Sequence, residues 1–340
     1  MGHWRLHVSE IRYDRLSENH VLIAPERLHR PDSTAIKSSV EPVVCPFCEG
    51  NEHLTPKEIF ALRHSDSLAN QPQWHTRVVP NLYKAVAIEV PHQHHSGAFE
   101  YFDGFGAHEV IIDTPSHHVS MRQWNQEEMV SWFKTLRARV EDLRRDHRLA
   151  SISLFKNEGY DAGSTMSHCH TQLIALPLIP KAQRELYTRS REFFESHGYP
   201  LMESIVKDEE EAKVRLIERE GEFSAFCPYA SAYPFEVMIT SSQAMEPIDV
   251  MSNERIETLS TLLISVIHRL DSQLDTLAFN LWVSTPPLHE DRERSSIYPF
   301  FIRIVPRLYR FGGFEVNTDM MINPVEPEVA AKALRGEDNV

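Results

Sequence analysis

The stretch from Phe155 to Gln172, FKNEGYDAGSTMSHCHTQ, sets three polar side chains, His168, His170 and Gln172, at alternate positions after a loop with two glycines and several hydroxyl residues. Alternate residues of a strand share one face, and the LIALPLI that follows reads as buried. Buried polar groups are paired or functional. A neutral imidazole is a good nucleophile toward an activated phosphorus, and the resulting phosphoramidate is labile enough to pass its group onward. His170 is the candidate nucleophile, and its other ring nitrogen needs an acceptor to fix the tautomer. The loop N–H groups with Ser164 and Thr165 supply donors for phosphate oxygens, and Gln172 can donate to the same phosphate. The plainer reading is a pair of hydrogen-bonded core histidines, which the spacing and the loop argue against.

Cys45-Pro46-Phe47-Cys48 is a C-x-x-C of the kind that holds zinc through two thiolates. A redox pair or plain buried thiols are the alternatives. A metal needs two more ligands, and the candidates are the pair His117-His118 and His168. A closed Cys2His2 site would be structural and would pin the strand that carries His170. His92, His94 and His95 in PHQHH read as a solvated loop, Cys169 as a buried thiol on the opposite face from the key histidines, and Cys227 as core.

Two amphipathic helices, expected at 125–147 and 252–274, each open on Asn or Ser with acids in the first turn. Before them stand the strand-like runs HEVIIDTP (108–115) and FEVMITSS (235–242); after them come SISLFKN (151–157) and LAFNLWV (277–283). Two further strands, HCHTQLIALPLIP (168–180) and IYPFFIRIVPRLY (297–309), end in similar proline-containing tails. Strand, helix, strand, strand thus occurs twice, which predicts an α+β fold made of a duplicated unit whose antiparallel sheets join. The expected division is a first half at 1–180 with the C-x-x-C, a charged helical connector at 181–220 and a second half at 221–340. An entry hairpin, Ile11–Tyr13 with Val21–Ala24, precedes the first unit. Aligning Pro177 with Pro306 sets His168, His170 and Gln172 against Ile297, Pro299 and Phe301, so the chemistry belongs to the first copy and the second is scaffold.

At 340 residues the chain is long enough for two such units. Lys plus Arg number 35 against 49 Asp plus Glu, a net charge of −14, which would repel a nucleic-acid backbone or an anionic membrane. A phosphate ligand must therefore be held by a local pocket. Four cysteines are too few for a disulfide scaffold, the amino terminus lacks a signal-type apolar run, and the longest apolar stretch, 173–179, is far short of a membrane span. A cytoplasmic protein is expected.

Over most of its length the sequence resembles the galactose-1-phosphate uridylyltransferase branch of the histidine triad superfamily. The resemblance rests on IAPERLHRP (23–31), CPFCEGNEHLTP (45–56), RVVPNLY (77–83), AHEVIIDTPSHH (107–118), FKNEGYDAGSTMSHCHTQ (155–172) and GFEVNTDMMINPVEPEVAAKALR (313–335). It implies duplicated histidine-triad-like halves and a ping-pong nucleotidyl transfer. In that reaction His170 attacks the α-phosphorus of a nucleoside diphosphate derivative, and a phosphate-bearing acceptor then removes the nucleotidyl group. It also implies structural zinc on Cys45, Cys48, His117 and His168, phosphate contacts from Asn157, Gly163, Thr165 and Gln172, a nucleoside contact at Asn81, and a sugar contact at Glu315 across a homodimer interface.

Departures bear on the substrate. Members acting on galactose 1-phosphate usually carry His-Pro-His, an Asp after the nucleoside Asn, and in many cases a second metal site. Here stand Cys169, Leu82 and the apolar Tyr298-Pro299-Phe300-Phe301, so no second metal site is expected. The pattern resembles relatives that transfer AMP, such as ADP-glucose phosphorylase or adenylylsulfate:phosphate adenylyltransferase, with dinucleoside polyphosphate phosphorylases as cousins. UDP-sugar, ADP-sugar and adenylylsulfate are the candidate donors. Two other readings compete: a nucleotide hydrolase, disfavoured because Gln172 cannot act as a general acid, and a zinc-stapled binding protein without turnover.

Overall fold

The computed structural model describes residues 9–16, 18–25, 27, 44–241, 246–290 and 296–337. The strands in chain order are β1 (Glu10–Tyr13), β2 (His20–Ile23), β3 (Phe60–Arg63), β4 (Trp74–Pro80), β5 (His94–His95), β6 (Tyr101–Asp103) and β7 (Ala107–Ile112). They continue with β8 (Ser151–Glu158), β9 (His170–Leu176), β10 (Leu216–Glu220), β11 (Phe223–Phe226), β12 (Val237–Ser241), β13 (Phe279–Val283) and β14 (Phe301–Pro306). The long helices are α1 (Gln126–Leu143), α2 (Lys181–His197), α3 (Leu201–Ala212) and α4 (Asn253–Gln273).

Ten strands form one antiparallel sheet in the order β10-β11-β12-β14-β13-β8-β9-β7-β4-β3. Read inward from either edge, the order is the same, and the two halves meet where β8 pairs antiparallel with β13. The registers carry the duplication to single residues. Adding 129 to both members of the Ser151↔Leu176 pair of β8 and β9 gives Asn280↔Val305, which is itself a pair of β13 and β14. The fold is α+β and built from a repeated unit. The offset of 129 is also the one that sets Gln172 against Phe301.

Both α1 and α4 start where expected. Asn125 accepts from Glu128 N–H and closes a capping box, and Ser252 accepts from Arg255 N–H. The first helix stops at Leu143 rather than 147, because Arg144–His147 turn through Asp146, whose side chain accepts the Arg148 N–H. The two helices pack side by side on one face of the sheet, α1 over β3 and β4 and α4 over β10 and β11. Strand alternation sends Leu173, Ala175, Ile152 and Leu154 into that helix-covered core and leaves His170 and Gln172 on the other face.

Three expectations need correction. Residues 216–220, placed in the connector, are edge strand β10, joined to β11 through Gly221 at φ +56, with Ile217 buried. PHQHH is not a bare loop. His94 and His95 form β5 against β6, each imidazole paired with a carboxylate, Glu100 and Asp103. With β1 and β2 these strands make a separate four-stranded sheet. Finally, β9 begins at His170, so His168 lies before the strand and need not obey its alternation. Of the basic, proline-containing stretch Arg27–Pro31 that follows the entry hairpin in sequence, Arg27 is described and 28–31 lie outside the described residues.

Candidate active site

The Cys45–Gly50 segment is a chain of tight turns, with Cys48 N–H donating to the Cys45 carbonyl and Asn51 N–H to that of Cys48. The Asn51 side chain braces the same turn by donating to the Cys45 carbonyl at 2.9 Å. This knuckle faces the end of β7 and the start of β9. Cys45, Cys48, His117 and His168 each offer a ligand atom, and all four atoms lie within 4.8 Å of one another. Cys48 Sγ is 3.2 Å from His117 Nδ1 and 3.7 Å from His168 Nδ1, and Cys45 Sγ is 3.6 Å from His168 Nδ1.

The ring orientations suit a metal. His168 Nε2 lies 2.9 Å from the Thr114 carbonyl, which accepts only from N–H, so the lone pair stays on Nδ1, the atom that faces the thiols. Burial lowers the His168 pKa to about 4, which keeps the ring neutral. Burial and the neighbouring Cys45 raise the Cys48 pKa to about 11, so two thiolates here call for a cation between them. A Cys2His2 group of this composition could hold a metal ion. Of the sequence candidates, His118 is left out: its Nε2 pairs with Glu128 Oε1 at 3.0 Å.

One residue beyond Cys169, the chain turns His170 the other way, into a cavity whose walls include Phe47, Pro56, Val79, Asn81, Tyr83, Thr165 and Gln172. His170 Nδ1 sits 3.0 Å from the carbonyl of His168, which fixes the proton on Nδ1 and leaves the Nε2 lone pair. The backbone of a metal-group residue thus orients the candidate nucleophile. Phe47 of the knuckle packs edge-on against both rings, at 6.1 Å from His168 and 5.6 Å from His170.

The loop between β8 and β9 is held in a special conformation. Gly159 has φ +83, with Ala278 Cβ only 2.7 Å from where a Cβ would stand, and Gly163 has φ +85 with open space beside it. Thr165 lines the cavity, whereas the Ser164 hydroxyl donates to the Met166 carbonyl at 2.8 Å. Asn157 is on β8, its side-chain oxygen accepting from Asn280 Nδ2 at 2.8 Å across the junction of the two halves. Glu315 is remote. It caps the short exposed helix Gly313–Thr318, accepting the Gly312 N–H at 3.0 Å, and does not line the cavity.

Two further groups escape a reading of the sequence. His108 is 4% exposed on β7, behind Asn81 and Gln172, and reaches both. Its signal was faint: it is the first of the alternating His108, Val110 and Ile112 of a strand that turns out to pair with β9. Under the site, on the helix side of the sheet, fully buried Lys156 donates to Asp113 Oδ2 at 2.9 Å and approaches the His170 carbonyl at 3.4 Å. The stretch RVVPNLY (77–83), one of the motifs that carry the resemblance, divides. Val79–Tyr83 line the cavity, whereas the Arg77 guanidinium is buried against Glu58 and Thr55.

The described residues thus join a ten-stranded duplicated sheet to a Cys2His2 group that backs a tautomer-fixed histidine. A profile of the galactose-1-phosphate uridyl transferase N-terminal domain matches residues 3–180, and the chain belongs to that family. It is 29% identical over 333 residues to ADP-glucose phosphorylase of Arabidopsis thaliana, covering 96% of this chain and 92% of that one. It is 24% identical over 357 residues to galactose-1-phosphate uridylyltransferase of Saccharomyces cerevisiae, covering 97% and 94%. The crystal structure of an Arabidopsis thaliana ADP-glucose phosphorylase with bound ADP-glucose superposes with a TM-score of 0.75 at 28% identity, over 96% of this chain and 98% of that one. Among the described residues no helix is long and apolar enough to cross a membrane.

Proposed function

We propose that the protein is a nucleotidyltransferase that moves a nucleoside monophosphate from a nucleotide sugar to a phosphate-bearing acceptor through a nucleotidyl-His170 intermediate. The observation that carries this reading is the His170 Nδ1 to His168 carbonyl contact of 3.0 Å at the cavity wall, which leaves Nε2 as the attacking lone pair. Nε2 attacks the α-phosphorus, a P–N bond forms, and the P–O bond to the sugar phosphate breaks. The acceptor's phosphate oxygen then attacks the same phosphorus and releases neutral Nε2. Gln172 and Thr165, with the loop N–H groups near Gly163 and the Asn157 amide, are the donors for phosphate oxygens; Asn81 meets the nucleoside.

Cys45, Cys48, His117 and His168 are proposed to hold zinc, whose contribution is structural: it ties the knuckle to the segment that enters β9. The Cys45→Ser, Cys48→Ser double variant is expected to lose zinc by elemental analysis and several degrees of melting temperature, with activity falling as a consequence. Wild-type protein purified without metal, yet fully stable and active, would remove the site from the scheme.

ADP-glucose is the first donor to test. The resemblance to ADP-glucose phosphorylase spans nearly the whole chain, and Leu82 and Cys169 stand where galactose 1-phosphate enzymes usually carry Asp and Pro. Intact-mass spectrometry after brief incubation with ADP-glucose, UDP-glucose or adenylylsulfate, without acceptor, reads the intermediate directly. An AMP-sized adduct on wild type, absent from His170→Gly, is the expected result. A UMP-sized adduct would move the specificity to uridylyl donors, and a wild-type protein unmodified by every donor would overturn the reading.

The same proposal divides the chain into a catalytic half at 1–180, a connector that reaches about Arg215, and a scaffold half beyond it. It places the protein in the cytoplasm, where the knuckle thiols of a chain without disulfides among its described cysteines stay reduced. It also makes the enzyme a homodimer, with Glu315 of each protomer serving the other's site.

A further inference from the structure

His108 does not line the cavity and has no part in the transfer steps above, yet it is the buried polar group that joins two of its walls. The Ala85 N–H donates to His108 Nδ1 at 3.0 Å, so that nitrogen carries a lone pair, and the proton of the neutral ring is on Nε2. Gln172 Oε1 lies 3.2 Å from that Nε2. An amide whose oxygen accepts there turns its NH2 group away from His108, and Gln172 lines the cavity that His170 enters. Asn81 Nδ2 is 3.0 Å from the same nitrogen, but its own oxygen already accepts the Tyr83 N–H at 2.8 Å. Nε2–H has no lone pair to give Asn81, so its proton goes to Gln172 Oε1.

We propose that His108 is a positioning residue that fixes the Gln172 amide with its two N–H donors aimed at the reacting phosphate. A reversed amide would point an oxygen at the phosphate oxygens and repel them, so the orientation matters most as charge builds in the transition state. The inference rests on the nucleotidyl-transfer reading and deepens it. It assigns His108 no contact with the substrate.

The test compares His108→Phe, which keeps ring bulk and removes the donor, with His108→Gln, which keeps a donor. With ADP-glucose as the probe, His108→Phe is expected to slow formation of the AMP adduct about 10- to 100-fold at saturating donor, with the half-saturating concentration within about threefold of wild type. His108→Gln is expected to recover most of that rate, and both variants to retain wild-type zinc content. Adduct formation by His108→Phe at the wild-type rate overturns the proposal. So does an equal loss in both variants that tracks their melting temperatures, since that marks a purely structural role. Independently of activity, 15N spectra of histidine-labelled wild type should show His108 protonated on Nε2; a proton on Nδ1 instead would defeat this inference alone. Absence of an adduct from wild type with every donor would defeat the functional reading, leaving the 15N spectrum to decide the orientation.

Discussion

The Lys156 cation beneath His170 is held by its partners rather than by solvent. Burial works to lower the Lys156 pKa, and Asp113, with Cys169 and Glu158, outweighs it and keeps the ammonium charged. The Trp124 ring 5.1 Å from Nζ closes the other side. Lys156→Met removes one charge and strands Asp113, so it should cost about 3–5 kcal/mol in urea unfolding. Pairing it with Asp113→Leu should recover most of that loss, and a double variant no better than the single one would show that the carboxylate was never the issue. Glu52, just past the knuckle, behaves differently. Burial would raise its pKa, but Trp74 Nε1–H at 2.8 Å, the Gly50 N–H at 3.1 Å and nearby Arg77 hold it below the usual carboxylate range. A carboxyl depressed on folding stabilises above its unfolded pKa and loses that contribution as pH falls through the folded value. Glu52→Gln should therefore melt several degrees below wild type at pH 7, with the gap closing below about pH 4; an unchanged gap at pH 3 would assign it to packing. Cys45, Cys48, His168 and His170 were legible because their geometry is written in short local spacings. His108 was not, since it matters only through the pairing of β7 with β9, 64 residues apart at the His108–Gln172 contact.

At the level of elements, the loop between β8 and β9 holds two left-handed glycines under different constraint. Gly163 takes φ +85 with nothing within 4 Å of where an added methyl would stand, so Gly163→Ala costs only left-handed strain of about 1 kcal/mol. Gly159 takes φ +83 and would put its methyl 2.7 Å from Ala278 Cβ, on the segment leading into β13. Gly159→Ala must therefore shift the loop or the strand. Both variants should keep zinc, but Gly159→Ala should slow adduct formation at least about 10-fold while Gly163→Ala changes it by less than about threefold. Equal effects would mean that strain at the donors, not displacement of the loop, sets the rate. Helices α1 and α4 were readable because caps and a 3.6-residue period are local signals. The short strands were harder. β5 has two residues and β10 is a charged edge, LIERE, whose identity depends on the neighbour it pairs with.

On the scale of the whole molecule, the repeat was visible in the order of elements, but its consequence needed the registers. The offset of 129 puts Pro299 and Phe301 where His170 and Gln172 stand, so one half of a symmetric sheet carries the polar constellation and the other has apolar groups at the equivalent positions. One stretch of the second half remains open: Phe314, Val316, Met320 and Ile322 are 48%, 78%, 63% and 63% exposed around Glu315, an apolar surface in need of cover. In the proposed homodimer a second copy would bury it and bring Glu315 to the partner's site. Phe314→Asp with Val316→Asp should shift the mass in light scattering from dimer to monomer. The stronger test is complementation. If Glu315 acts in trans, a hybrid of a His170→Gly protomer with a Glu315→Ala protomer has one site with both lesions and one with neither. Unfolding and refolding equal amounts of the two inactive proteins together makes about half the dimers hybrid, so about a quarter of wild-type activity should return. Activity that stays at the level of the separate variants would place Glu315 in its own protomer's site, or in none.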